Sequence, residues 1–176
     1  MTPVGLSGAE IGRGAAIRGQ RPTLRGLVIG CGAGGRRHGG ELASLGVGEV
    51  VAYDPDAGCR ARLEAKAAAA GRDPQTPVRF GTLRVVEDLA QGWSAAPTIV
   101  VVAAPSQLHV PLARQAAARG CHVFIEKPLS HSLDGVSQLL AELNRRQLVS
   151  MVGCNMRYHP GPSTVRRWLG EGLIGD

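Results

Sequence analysis

Leu24-Arg25-Gly26-Leu27-Val28-Ile29-Gly30-Cys31-Gly32-Ala33-Gly34-Gly35 runs from a short, mostly apolar stretch straight into a glycine cluster. An apolar run of this length, closed by glycines, has the pattern of a strand buried on both faces of a parallel sheet. The residues after it change period: Arg36 to Leu45 suits a helix stopped by Gly46, and Glu49 to Tyr53 is a second apolar strand closed by Asp54. These three segments make a β-α-β unit with its glycines at the first turn.

Outward from that unit the alternation continues. Asp56 to Ala70, rich in Ala, Arg and Glu, is a strong helix with Asp54 or Asp56 as its N-cap and Gly71 as its stop. Val78 to Phe80 is a weak strand, and a short helix is expected around Val85 to Gln91. Thr98 to Ala103 reads as another fully buried strand, ended by Pro105. Helix Leu108 to Arg119, strand His122 to Ile125, helix Leu133 to Arg146 and strand Leu148 to Val152 follow. A polar segment, Gly153 to Pro162, then leads to an amphipathic helix from Ser163 to Leu169. Strictly alternating strands and helices imply an α/β fold: a Rossmann-type, doubly wound parallel sheet in a single domain, with ligands at the carboxyl ends of the strands.

Composition agrees with one globular unit. The chain has 176 residues, 44% hydrophobic and 19% charged, which is enough apolar surface to fold and too little charge to force disorder. Residues 1–23 carry glycines at 5, 8, 12, 14 and 19 and no apolar period, and are expected to be a flexible basic N-terminal extension. The first 25 residues hold four arginines against Glu10, half of the net charge of +6. Aromatic residues make up only 3%, which argues against stacking platforms for nucleic acid. The four cysteines form no Cys-x-x-Cys pair, so neither a metal site nor a disulfide framework is indicated. With no apolar span long enough for a membrane and no secretory h-region, the expected location is cytoplasmic, with neither membrane nor nucleic acid as a partner.

The chemistry is concentrated at the first turn. Gly30-Cys31-Gly32-Ala33-Gly34-Gly35 is G-x-G-x-x-G between a strand and a helix. In that context the first glycine permits the tight turn, the second lets backbone approach a pyrophosphate, and the third allows close packing of helix on sheet. The helix N-terminus presents free N–H groups and partial positive charge to phosphates. Arg36 and Arg37 add attraction or are simply solvated. Asp54, 19 residues beyond Gly35 and at the end of the second strand, is placed to accept hydrogen bonds from a ribose diol, or else serves only as a turn residue or cap. A carboxylate there favours NAD over NADP, because a 2′-phosphate would meet a like charge; Arg60 or Arg62 nearby would soften that preference.

Three later segments complete the picture: Val101-Val102-Ala103-Ala104-Pro105-Ser106-Gln107-Leu108-His109, then His122-Val123-Phe124-Ile125-Glu126-Lys127-Pro128, then Gly153-Cys154-Asn155-Met156-Arg157-Tyr158-His159-Pro160. In this order they resemble the glucose-fructose oxidoreductase / inositol dehydrogenase / MocA (Gfo/Idh/MocA) family over about Leu24 to Asp176, and Glu-Lys-Pro at a strand end is the most specific piece. The resemblance implies a nicotinamide dinucleotide on a Rossmann domain and hydride transfer at a hydroxyl carbon of a sugar, polyol or nucleotide sugar. It puts Ala104 and Pro105 in the loop under the cofactor, with Ala104 where the family often has threonine. It puts Glu126 and Lys127 near the nicotinamide ribose, with Lys127 as the catalytic residue that orients substrate and relays a proton, helped by burial that lowers a lysine's pKa. A cis Lys127–Pro128 bond is a further expectation from the resemblance.

His109 either contacts the cofactor or packs beside Pro105. Asn155 and Arg157 either line the cleft or brace an interdomain turn. His38, His122 and His131 are expected to be structural or solvated. The Rossmann domain is expected over residues 24–160, with 161–176 starting a linker helix into a C-terminal domain that this chain lacks. In the family that domain carries the catalytic histidine and much of the substrate pocket, so catalysis by these residues alone is expected to be incomplete. The competing reading is a non-catalytic NAD-binding sensor or interaction module; self-association through the uncovered surface is compatible with either.

Overall fold

The computed structural model describes residues 23–70 and 83–175. The extension read over 1–23, except for its last residue, and the strand read at Val78 to Phe80 lie outside them. Leu27, Val28 and Ile29 explain the first strand: successive side chains point to opposite faces, and all three are buried. Strand β1 (Arg25–Ile29) is therefore central, flanked in parallel register by β2 (Glu49–Tyr53) and β4 (Ile99–Val102). β3 (Leu83–Val86) extends the sheet beyond β2, and β5 (His122–Ile125) and β6 (Ser150–Val152) extend it beyond β4. The order is β3-β2-β1-β4-β5-β6, all parallel.

The residues between strands form helices α1 (Ala33–Ser44), α2 (Ala57–Ala70), α3 (Leu89–Ser94), α4 (His109–Ala118) and α5 (Val136–Arg145), and α6 (Pro160–Gly170) follows the last strand. Two cores result, one on each face of the sheet. Val28, Val50, Ala52 and Val101 pack with Cys31, Ala43 and Leu63 beneath α1 and α2. Leu27, Val51, Val100 and Val123 pack with Ala113, Ala116, Leu139 and Leu143 from α4 and α5. The single-domain, doubly wound α/β architecture follows from this alternation of buried side chains.

Several elements differ from the sequence reading in their bounds, among them α1, which starts at Ala33 rather than Arg36, and α5, which starts at Val136 rather than Leu133. Residues 85 and 86, expected to open a short helix, belong to β3, because Val85 and Val86 are β-branched and Leu83 to Val86 pair with residues 50–53 of β2. The helix waits for Asp88, whose side chain accepts from the Ala90 N–H at 2.9 Å and caps α3. At the other end, α6 begins at Pro160 rather than Ser163, since proline suits the first helical turn and His159 Nδ1 accepts from the Gly161 N–H at 3.1 Å. None of the residues of α6 is buried.

Strand order reverses between β1 and β4, so the connections after these two strands leave in opposite directions and open a crevice at their carboxyl ends. Backbone hydrogen bonds run the sheet into the loops that border it: Gly30 N–H to Tyr53 O at 2.7 Å, Ala103 N–H to Ile29 O at 2.8 Å, and Glu126 N–H to Val102 O at 2.9 Å. The glycine loop, the Ala104–Pro105 loop and the Glu126–Pro128 loop are thus held side by side.

Candidate dinucleotide-binding site

The glycines of the first turn divide by what surrounds them. Gly30 has φ +104°, a left-handed conformation, and a Cβ there would collide with the Ala103 carbonyl. A Cβ on Gly35 would overlap the carbonyl oxygen of Gly30, so this glycine is what lets α1 sit against β1. Gly32 is different: a Cβ would meet nothing within 4 Å. The space beside it faces the start of α1, which begins at Gly32 without a side-chain cap. Open space plus uncapped N–H donors is the cradle that a pyrophosphate needs, so the residues present fit the group.

Asp54, at the end of β2, reaches back to this loop. Its Oδ2 accepts from the Cys31 N–H at 2.7 Å, and Oδ1 accepts from the Asp56 N–H at 2.9 Å. An ionised carboxylate offers about four acceptor positions, which leaves room for ribose hydroxyls. The cap of α2 is Asp56, whose Oδ1 accepts from the Cys59 N–H at 2.6 Å. Hydrogen bonding from the Cys59 backbone N–H first, and from its side chain second, holds the Asp56 carboxyl below the ordinary value. Arg60 donates to the carbonyls of Asp54 and Pro55, at 2.8 and 3.1 Å, and Arg62 donates to Cys59 Sγ at 3.0 Å. Cys31 keeps its side chain in the core, where burial first and the Asp54 charge second push its thiol up to about 12.

Glu126 and Lys127 stand at the end of β5, and the Lys127–Pro128 bond is cis. Glu126 lies over the glycine loop: a Cβ on Gly34 would come 3.6 Å from its Oε1. Oε1 is 2.7 Å from His38 Nε2 and accepts from Arg37 Nη2 at 3.0 Å, and Oε2 accepts from the Lys127 N–H at 3.0 Å. Burial raises the Glu126 pKa, but the hydrogen bonds from His38 and the Lys127 N–H, with the charges of His38 and Arg37, more than offset it and leave it lowered. His38 also reaches Glu41 Oε2 at 3.1 Å and stacks at a tilt on Phe124, ring centroids 4.9 Å apart. Arg36 turns back onto the Cys31 carbonyl at 3.1 Å, so neither loop arginine is simply solvated. Lys127 itself is exposed; the burial expected of it is not supplied by the described residues.

Not every expected residue gathers here. His109 is 2% exposed, with its ring between two backbone carbonyls, which makes it a packed histidine rather than a cofactor-facing one. Asn155 borders a hollow shared with Arg37, His38 and Glu41, whereas Arg157 borders an adjoining one with Arg166 and Ser163, the two meeting at Met151 and Tyr158. The structure therefore joins Gly30, Cys31, Gly32, Ala33, Gly34, Gly35, Asp54, Ala104, Pro105, Glu126 and Lys127 around the crevice and leaves Arg157 apart. The residue underestimated in the sequence is His38. Its place one turn into α1 gives no hint that its partner lies 88 positions away.

This arrangement can be set against known proteins. The profile described as "Oxidoreductase family, NAD-binding Rossmann fold", GFO_IDH_MocA, matches residues 24–154. The chain belongs to this family. D-apiose dehydrogenase from Paraburkholderia graminis is 30% identical over 153 residues, which is 86% of this chain and 38% of that enzyme. Levoglucosan dehydrogenase from Pseudarthrobacter phenanthrenivorans is 31% identical over 77 residues, 44% of this chain and 20% of that enzyme. Among solved structures, GenD2 from gentamicin A biosynthesis, in complex with NAD, has a TM-score of 0.62 at 30% identity and covers 84% of this chain and 39% of its own. The WlbA dehydrogenase from Bordetella pertussis shares the fold with a TM-score of 0.67 at 21% identity. The chain spans about two fifths of the length of such full-length relatives. As a Gfo/Idh/MocA member it carries the family's NAD-binding Rossmann domain, and the glycine loop, Asp54 and the Glu126-Lys127-Pro128 loop occupy the carboxyl edge of its sheet. No helix among the described residues is long and apolar enough to cross a membrane.

Proposed function

We propose that this chain is the cofactor-binding half of an NAD-dependent oxidoreductase acting on a hydroxyl carbon of a sugar, polyol or nucleotide sugar. The observation that carries the reading is the open space at Gly32 beside the uncapped start of α1, with Asp54 on the same rim. The names of relatives, D-apiose dehydrogenase and levoglucosan dehydrogenase, support the substrate class. NAD is preferred to NADP. A 2′-phosphate would meet the Asp54 carboxylate as a like charge, and Arg60 is engaged with carbonyl oxygens rather than positioned to receive it.

A bound nicotinamide supplies or accepts hydride. Gly32 and the first N–H groups of α1 would hold the pyrophosphate, Asp54 would accept from the adenosine ribose, and Pro105 and Ala104 would floor the crevice. Glu126, tied to α1 through His38 and Arg37, fixes the loop that presents Lys127. Lys127 exchanges the proton at the reacting oxygen through Nζ. The unburied α6 and the length of the relatives support a Rossmann domain over residues 24–160, with the segment from 161 leading to further protein. Asn155 and Arg157 border that side and would meet substrate rather than the pyrophosphate.

Calorimetric titration of the chain with NADH and NADPH, repeated on Asp54→Ala, tests the reading. NADH binding that is tighter than NADPH binding and is lost in the variant supports it. Absence of binding by either nucleotide removes it.

A further inference from the structure

Two loops follow β4 and β5 at the carboxyl edge of the sheet, and one buried side chain lies between them. His109, the first residue of α4, places Nε2 2.7 Å from the carbonyl oxygen of Ala104 and Nδ1 2.8 Å from that of Pro128. Both partners are backbone carbonyls, which accept and never donate. A ring with one proton satisfies one of them and turns a lone pair toward the other across less than 3 Å. A ring with a proton on each nitrogen donates to both. At 2% exposure no solvent replaces a missing bond, and an unsatisfied buried acceptor is costly.

We propose that His109 is a positioning residue for the dinucleotide site: its ring, protonated on both nitrogens, clamps the Ala104–Pro105 loop to the Lys127–Pro128 loop and so sets the spacing of the cofactor crevice. The two carbonyls belong to residues 24 positions apart that no strand pairing joins directly, since β4 ends at Val102 and β5 at Ile125. Beyond those ends, the last backbone tie between the segments is Glu126 N–H to Val102 O. The ring takes over where the ladder stops. Losing one ring proton releases one loop, so dinucleotide affinity follows the protonation of a group that never touches the ligand. The ionisable groups on the elements around the ring are Arg114 on the same helix, Lys127 before Pro128, and His131 and Asp134 before α5; none of them bonds it.

The inference rests on the cofactor reading for its consequence but not for its geometry, and one experiment separates the two. The ring nitrogens of the 15N-labelled chain are followed by NMR through a pH titration, His109 being assigned by the signal lost in His109→Asn, and NADH affinity is measured at each pH. The expected result is a doubly protonated ring where NADH binds tightest and an affinity that falls as one ring proton is lost. His109→Phe, of similar volume, should fold by circular dichroism and bind NADH about five- to tenfold more weakly, the scale of one or two net hydrogen bonds. A singly protonated ring across the pH range of full NADH binding overturns the clamp, as does wild-type affinity in His109→Phe. A doubly protonated ring in a chain that binds no NADH leaves the clamp standing and removes the cofactor reading instead.

Discussion

His38 Nε2 lies 2.7 Å from Glu126 Oε1, joining the second turn of α1 to the end of β5 across 88 positions of sequence. With Arg37 on the same carboxylate oxygen, the contact locks the loop that carries Lys127 onto the helix that follows the glycine loop. The side chains of His38 and Glu126 are 10% and 16% exposed, so this is a largely desolvated pair rather than a surface one.

Glu126→Ala removes the shared acceptor and leaves the buried His38 Nε2 with only the longer 3.4 Å contact to Arg37 Nη2. The expected loss is about 1–3 kcal/mol of stability, read by urea denaturation, with Glu126→Gln losing less because its amide oxygen still accepts. Because the folded-state pKa of Glu126 is lowered, its contribution is complete above the ordinary carboxylate value and is lost as pH falls through the lowered value. Wild type should therefore lose stability on acidification more steeply than Glu126→Gln. Parallel curves would show that the pair contributes nothing.

The glycine loop offers a contrast between structure and binding. Gly35→Ala drives a Cβ into the Gly30 carbonyl and should destabilise the fold by about 3 kcal/mol or more. Gly32→Ala meets open space and should change stability by less than about 0.5 kcal/mol. It should nonetheless weaken NADH binding at least about tenfold, because the methyl group occupies the approach to the pyrophosphate. Thermal denaturation and nucleotide titration on both variants would separate the two roles, and a Gly32→Ala chain that binds NADH normally would place the pyrophosphate elsewhere.

Asp54→Asn keeps an acceptor for the Cys31 N–H but discards the charge. NADH affinity should fall about tenfold and the ratio of NADPH to NADH affinity should rise, since the like charge facing a 2′-phosphate is gone. An unchanged ratio would mean that the carboxylate does not read the ribose.

The cysteines should differ sharply toward iodoacetamide in the native chain. Cys154 is exposed and reacts first, while Cys31 and Cys121 are buried with their thiols pushed up by that burial. Peptide mass mapping should show Cys31 modified only after denaturation. Modification of Cys31 at a rate near that of Cys154 would mean that the glycine loop opens readily.

Local sequence was enough for most of the fold, because hydrophobic period and turn chemistry act over a few residues. Leu27 to Ile29 with Gly30 to Gly35, the Asp54 at the next strand end, the β-branched run at Ile99 and the apolar run after His122 each carry their own signal, and the parallel sheet follows from their alternation. Leu83 to Val86 was harder, since four residues hold too little period to separate a strand from a helix start; pairing with β2 decided it. The motif also named Gly30, Gly32 and Gly35 together, yet only the fold shows that two of them avoid backbone collisions and the third borders empty space. Roles set by distant partners were not legible. His38 depends on Glu126, and His109 on two carbonyls from different loops, so their function exists only once the chain is folded. The sequence by itself determined which segments become strands and helices and where the glycine turn lies; the tertiary structure alone decided which side chains bind across that turn, because those contacts are made in space between residues with no local relation.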